Sequence, residues 1–211
     1  PMATSDLKRI YTNPELCVEF DPFALLLLDK SDSDIKNFRE HLGVWALSSQ
    51  SISDDCFRLS HSKSFDKYDV IDGPTDNGWG NFLRQIPKPL PPMNSIVLND
   101  RFVMCRTNEN NAIERGFYGL ENLKVLFEEL LPKQDLKIPF HILIFCQQPE
   151  LEFESTDAIV DEFINHVCAS RNYTINIEFV YAKSRHKRNL FTNYFSFWTD
   201  RAYNAFYVRD M

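Results

Sequence analysis

Apolar residues along the chain follow two patterns: short runs of neighbouring positions, and longer stretches in which they recur every three or four residues. The short runs predict buried strands at residues 22–28, 44–47, 95–98, 140–145 and 175–181. The helical spacing predicts helices over residues 31–42, 120–131 and 155–167. Strands that alternate with helices predict an α/β fold, in which a mixed, partly parallel sheet is flanked by helices.

The chemistry of single residues marks several element ends. Ser31 and Ser33 are candidate N-caps for the first helix, and Gly43 is its expected stop. Pro132 ends the helical pattern that begins near residue 120. In residues 189–207 aromatic and polar positions alternate, which predicts one or two final strands in a hairpin or at a sheet edge.

The N-terminal part of the chain is less regular. Residues 48–80 are rich in Ser, Asp and Lys and contain few apolar positions, which predicts a long surface excursion. The proline-rich residues 86–92 favour an extended, stiff connection. We therefore place a domain boundary there, between an N-terminal α/β extension with a long polar loop (1–92) and a second domain (93–211).

Charge is distributed unevenly along the 211 residues. The chain has 23 Lys and Arg against 30 Asp and Glu, a formal charge of −7, so any contact with nucleic acid or an acidic membrane must come from a local patch. Residues 107–170 contain 4 basic and 12 acidic residues, whereas residues 171–209 contain 7 basic and 2 acidic ones. Within the second stretch, residues 183–188 are the densest basic cluster and follow a predicted strand.

Cysteine and histidine spacing excludes several kinds of site. The five cysteines form no C-x-x-C pair and mostly lie in apolar runs, which favours free thiols in a reducing, cytoplasmic location. No apolar run is long enough to span a bilayer, and Met2, which we interpret as the natural start, is not followed by a signal peptide. The five histidines lack metal-ligand spacing, so we predict neither a metal nor a cofactor.

The basic cluster contains a candidate motif for phosphate chemistry. In His-x-Lys followed after four residues by Asp, the imidazole attacks phosphorus, the Lys binds phosphate oxygens and the carboxylate assists. Here His186, Arg188 and Asn193 keep that spacing, with Arg in place of Lys and Asn in place of Asp. Arginine still grips phosphate, but an Asn side chain cannot act as an acid or base, which argues against turnover.

We predict an anion-binding site around this motif. Arg101, in the turn after the strand at residues 95–98, supplies a further guanidinium if the two turns meet; otherwise it pairs with Asp100 or a nearby glutamate. His186 is the candidate catalytic residue, with a structural role as the alternative. The predicted anion-binding residues are Arg101, Lys183, Arg185, Lys187, Arg188 and Asn193.

Residues 93–206 resemble the phospholipase-D-like C-terminal domain that follows MIT modules in eukaryotic trafficking proteins and also occurs in bacterial proteins. The resemblance rests on residues 96–102, the leucine-rich helix after them, residues 140–143 and residues 179–188. It implies a phospholipase-D-like layer architecture and a non-catalytic domain that binds acidic lipids or other partners through a basic face. Lys187 stands where the family has Asp, and the family's glycines after the motif are missing.

Three functions follow as hypotheses. The first is a non-catalytic binding module whose basic site takes an anionic ligand (a phosphate, nucleic acid or acidic lipid) or a protein partner. The second is a phosphodiesterase or nuclease in which a homodimer brings two His186 side chains together. The third is a structural assembly subunit. The Asn-, Lys- and Phe-rich composition suggests an AT-rich bacterial genome, and by analogy a complex of a defence or mobile-element locus.

Overall fold

The protein is a mixed α/β structure in a computed structural model. The structure describes residues 9, 12–13, 26–48, 64–65, 90–101, 103–104, 118–147, 156–182, 188–194 and 196–199. Its helices within these ranges are α1 (Asp32–Leu42), α2 (Tyr118–Leu130) and α3 (Thr156–Ala169). Its strands are β1 (Leu26–Leu28), β2 (Ala46–Ser48), β3 (Ser64–Phe65), β4 (Ser95–Asn99), β5 (Phe140–Cys146), β6 (Ile175–Tyr181), β7 (Arg188–Thr192) and β8 (Ser196–Thr199).

Helix α1 has the ends that its sequence predicts. Ser31 is the N-cap, and its hydroxyl oxygen accepts the Asp34 backbone N–H at 3.3 Å. At the other end Gly43 takes a left-handed φ of 62°, and its N–H donates to the Arg39 carbonyl at 3.0 Å. Both predicted boundaries are confirmed. They could be predicted because a helix cap depends only on residues close to it in the chain.

Six strands form the main sheet in the order β3-β8-β7-β4-β5-β6. Strands β4, β5 and β6 are parallel, while β7 is antiparallel to both of its neighbours, β4 and β8. The predicted mixed, partly parallel sheet is therefore confirmed, as is the predicted C-terminal hairpin. The β7–β8 hairpin lies within the sheet, since β3 pairs with β8 on its outer side.

Strand β3 is an element that the sequence did not indicate. It falls in the polar stretch predicted as a surface excursion, and its two residues pair in parallel with Ser196 and Phe197 of β8. Two residues carry no recognisable period, so only the pairing partner defines them as a strand. The two parts of the chain separated by the predicted boundary at residue 92 thus contribute to one sheet.

Strands β1 and β2 form a small parallel sheet, and the chain between α1 and β2 lies against the residues that precede β4. The Asn94 side-chain amide donates to the Leu42 carbonyl at 3.1 Å, and the Lys137 N–H donates to the His41 carbonyl at 2.9 Å. The Trp45 N–H donates to the Tyr194 hydroxyl at 2.7 Å. These bonds tie the N-terminal elements to the edge of the main sheet where β4 and β5 begin.

The main core lies between one face of the large sheet and helices α2 and α3. Alternate residues of β5 are buried, as expected for a strand with one covered face, and the side chains of Phe127 in α2 and Phe163 in α3 are fully buried. Their ring centroids are 6.2 Å apart. Within the described ranges, no helix has the length and apolar character needed to cross a membrane.

A three-residue ion cluster joins the two helices outside this core. Lys124 of α2 lies 2.7 Å from Glu121 and 3.0 Å from Glu162 of α3. Burial alone would lower the pKa of Lys124, but its hydrogen bonds to the two glutamates raise it. The same contact with Lys124 lowers the pKa of Glu162. Lys124 and Glu162 therefore stay charged at neutral pH, and their contact helps to hold α2 against α3.

Substitution of Gly119 tests how closely α2 approaches the turn after β4. An alanine normally stabilises a helix by about 1 kcal/mol relative to glycine. Here a Cβ at position 119 would lie 2.5 Å from the Val103 carbonyl oxygen, a backbone atom. We expect Gly119→Ala to lower the free energy of unfolding by about 1–3 kcal/mol instead. Urea denaturation measures the change, and a gain in stability would contradict the close approach.

Candidate functional site

The candidate site lies at the edge of the main sheet where β4, β5 and β6 end. Parallel strands place their carboxyl ends at the same edge, and in open α/β sheets this edge is where ligands usually bind. Because Asn99 pairs with Asn189, antiparallel β7 begins at this edge, beside the end of β4. Helices α2 and α3, which follow β4 and β5, also begin on this side, since Gly119 lies against Val103 and Asp157 is near Tyr181. We call it the carboxyl edge, and the opposite one the amino edge.

Arg188, the first residue of β7, is tied to the end of β4. Its Nε donates to Oδ1 of Asp100 at 3.3 Å, and the side chains are only 11% and 2% exposed. The backbone of Asp100 is itself fixed, since its N–H donates to the Phe145 carbonyl at 3.0 Å. A largely buried ion pair therefore holds the end of the basic cluster at the carboxyl edge.

Arg101 lies next to this ion pair. Its Nε donates to the side-chain oxygen of Gln147, and its carbonyl accepts the Gln147 N–H at 3.1 Å. The two arginine-bearing turns thus meet, as the clustering of Arg101 with Arg188 requires. The alternative partners expected for Arg101 are Asp100 or a nearby glutamate, and of these Asp100 accepts from Arg188. The sequence could have pointed to Gln147, because it directly follows a buried strand at its carboxyl end.

The structure places Asn193 away from this site. Its side-chain oxygen accepts the backbone N–H groups of Asn94 at 2.9 Å and Ser95 at 3.2 Å, and its amide donates to the Asn94 side-chain oxygen at 2.7 Å. These contacts lie at the amino edge, where β4 begins. Five steps of about 3.4 Å along an extended strand separate Asn193 from Arg188 by about 17 Å. Asn193 is therefore not brought together with Arg188, and the contacts described for it join β7 to β4.

The other predicted residues, His186, Lys183, Arg185 and Lys187, lie outside the described residues. Their chain neighbours on both sides are at the carboxyl edge. The Ala182 N–H, just beyond β6, donates to the Cys146 carbonyl at 2.9 Å, and Arg188 begins β7. The described residues on either side of this segment, Ala182 and Arg188, thus lie on the side of Arg101.

Tyr181, which was not among the predicted site residues, adds a polar group at the same edge. It is the last residue of β6, and its side chain is 45% exposed. Partial burial raises the pKa of its phenol, and the nearby Cys146 and Asp157 raise it further. The phenol is therefore protonated at neutral pH and is a hydrogen-bond donor.

Comparison of the chain with protein-family models gives no match, and comparison with curated proteins gives none either. In the part of the chain that the structure describes, no group of three or more His, Cys, Asp or Glu side chains is placed to hold a metal ion.

A cavity of about 660 Å³ lies on the other side of the molecule. It is bounded by α1, by residues 90–93 and by the chain at the end of α2, and its walls include Trp45 and Leu131. The predicted site residues with described positions, Arg101, Arg188 and Asn193, are not among those that line it. The cavity and the carboxyl edge are therefore separate features.

Proposed function

We propose that this chain is a non-catalytic, phospholipase-D-like binding module whose carboxyl edge binds the phosphate group of an anionic ligand. One observation carries the proposal. The contact between Arg188 and Asp100 fixes the end of the basic cluster beside β4, next to Arg101. Arg101 and Arg188, which are far apart in the sequence, thus form one cationic region in an otherwise acidic protein.

The chemistry of this region suits a phosphate group. Guanidinium groups present planar N–H pairs that match phosphate oxygens. Helices α2 and α3 both begin on this side, so the positive ends of their dipoles also favour an anion here. The neutral phenol of Tyr181 is a further donor. Since the whole chain carries −7, the attraction is local and should weaken as salt concentration rises.

The position of Asn193 supports binding without turnover. In the motif that the sequence resembles, the residue at this spacing is a carboxylate that assists the attacking imidazole. Here an amide occupies the position, and its oxygen and nitrogen contact Asn94 and Ser95 at the amino edge. An amide in hydrogen bonds to the start of β4 offers no proton transfer to a group near Arg188.

The test compares two triple variants with the same change in charge. Lys183→Gln, Arg185→Gln and Lys187→Gln remove three cations from the basic cluster, while Lys36→Gln, Lys133→Gln and Lys137→Gln remove three exposed cations elsewhere. Inorganic phosphate, a fluorescent single-stranded oligonucleotide and vesicles containing phosphatidylserine are the probes. We expect the first variant to lose about tenfold or more in affinity and the second to stay close to wild type.

The three probes also separate the sources of the phosphate group. Binding of all three with one rank order of variants indicates recognition of the phosphate itself, whereas binding of the vesicles alone indicates a lipid surface. Equal losses in both triple variants would contradict a defined site and leave only diffuse attraction. Hydrolysis of a generic phosphodiester that disappears in His186→Ala would contradict the proposal and would indicate that the protein is a hydrolase.

A further inference from the structure

A carboxylate lies within the cationic region of the carboxyl edge. Asp100 is 2% exposed, and its contact with Arg188 is a direct hydrogen bond. Its backbone is held on both sides, since its N–H donates to Phe145 and its carbonyl accepts the Val103 N–H at 3.4 Å. Asp100 therefore places a negative charge at a fixed position beside Arg188 and next to Arg101, its neighbour in the chain.

The contacts described for the two arginines of this edge differ in the charge of the acceptor. Arg101 is oriented by the neutral side chain of Gln147, whereas Arg188 is oriented by the carboxylate of Asp100. At hydrogen-bond distance and in largely buried surroundings, a carboxylate cancels most of the field of the guanidinium that it contacts. An approaching anion should consequently meet Arg188 as part of a neutral pair, and it is also repelled by Asp100.

We propose that Asp100 is an internal counter-ion that sets the phosphate affinity of the carboxyl edge: it positions Arg188 and at the same time lowers the attraction of Arg188 for a ligand. The inference rests on the proposed function. It assigns Asp100 an effect opposite to that of the cations around it, because removal of its charge should strengthen binding. A residue with a purely structural role would weaken binding, or leave it unchanged, when it is replaced.

The test uses Asp100→Asn in the full chain. Asparagine keeps the shape and the oxygen that accepts from Arg188 but removes the charge. Inorganic phosphate is titrated into the protein, and the backbone amide signals of residues 99–101 and 147 are followed by NMR. We expect the dissociation constant to fall about three- to tenfold. Asp135→Asn, the same change at an exposed residue near the amino edge, should leave the constant at the wild-type value.

A second variant covers the case in which the single substitution does not fold. Asp100→Asn combined with Arg188→Gln replaces the ion pair by a neutral pair and leaves no uncompensated buried charge. Arg188→Gln alone keeps the Asp100 carboxylate without the guanidinium, so the double variant should bind phosphate about three- to tenfold more tightly than Arg188→Gln. Equal affinities of the double variant and Arg188→Gln, or weaker binding by the double variant, would overturn the inference.

The outcomes separate this inference from the proposed function. If wild type binds phosphate and folded Asp100→Asn binds it equally or more weakly, the counter-ion role is excluded and the binding site stands. If neither wild type nor Asp100→Asn binds phosphate, the proposed function fails and the inference with it. Tighter binding by Asp100→Asn beside an unchanged Asp135→Asn supports both.

Discussion

Gly43→Ala should lower the free energy of unfolding by about 3–5 kcal/mol. Two effects add at this position. The left-handed φ of 62° costs an alanine about 1–2 kcal/mol. In addition, a Cβ here would overlap the carbonyl of Met93 and lie 2.9 Å from the Asn94 nitrogen. Urea denaturation with an unchanged slope measures the loss of stability.

The Met93–Asn94 backbone has little freedom to move away from a new methyl group. Met93 is 1% exposed, and the Asn94 N–H donates to the Asn193 side chain. Gly43→Asn separates the two effects, because asparagine adopts the left-handed conformation at low cost but still carries a Cβ. We expect it to be nearly as destabilising as alanine. A loss below about 1 kcal/mol for Gly43→Asn would show that only the dihedral angle matters there.

Asn193→Ala should lower the free energy of unfolding by about 2–4 kcal/mol, because it removes the hydrogen-bond partner of several partly buried polar groups. The backbone N–H groups of Asn94 and Ser95 lose their acceptor, and the Asn94 side-chain oxygen loses its donor. Each buried polar group left without a partner costs about 1–3 kcal/mol. The thermal midpoint and the urea midpoint should both fall, while phosphate binding at the carboxyl edge should persist in the folded fraction.

Asn193→Asp distinguishes this structural role from a role in phosphodiester hydrolysis. The substitution restores the carboxylate found at this spacing in the phosphodiesterase motif. In the wild-type chain the Asn193 amide nitrogen donates to the Asn94 side-chain oxygen at 2.7 Å, and the substitution replaces this donor by a second oxygen. We expect a loss of stability of about 1–3 kcal/mol and no gain of phosphodiesterase activity. Activity that appears in Asn193→Asp and vanishes on further His186→Ala would contradict the separation of the two edges.

Only part of the candidate site could be predicted from the sequence, as the positions and the contacts of its two arginines show. Arg101 and Arg188 each follow or begin a recognisable strand, so their meeting at a sheet edge could be anticipated from the topology. Which partner each arginine takes could not be anticipated. Asp100 is adjacent to Arg101 in sequence yet binds Arg188, and Gln147, which directly follows β5, accepts from Arg101. Side-chain pairing depends on the register between strands, which no local pattern encodes.

The sequence by itself determined the elements: the capped helix α1, the runs that became β4 to β6 and the mixed α/β class. It could do so because caps, apolar periods and run lengths act between residues that are close in the chain. Only the tertiary structure decided that β7 inserts antiparallel beside β4 and that β3 joins β8. Those pairings separate Asn193 from Arg188 although they are five residues apart, because an extended strand carries its two ends to opposite edges of the sheet.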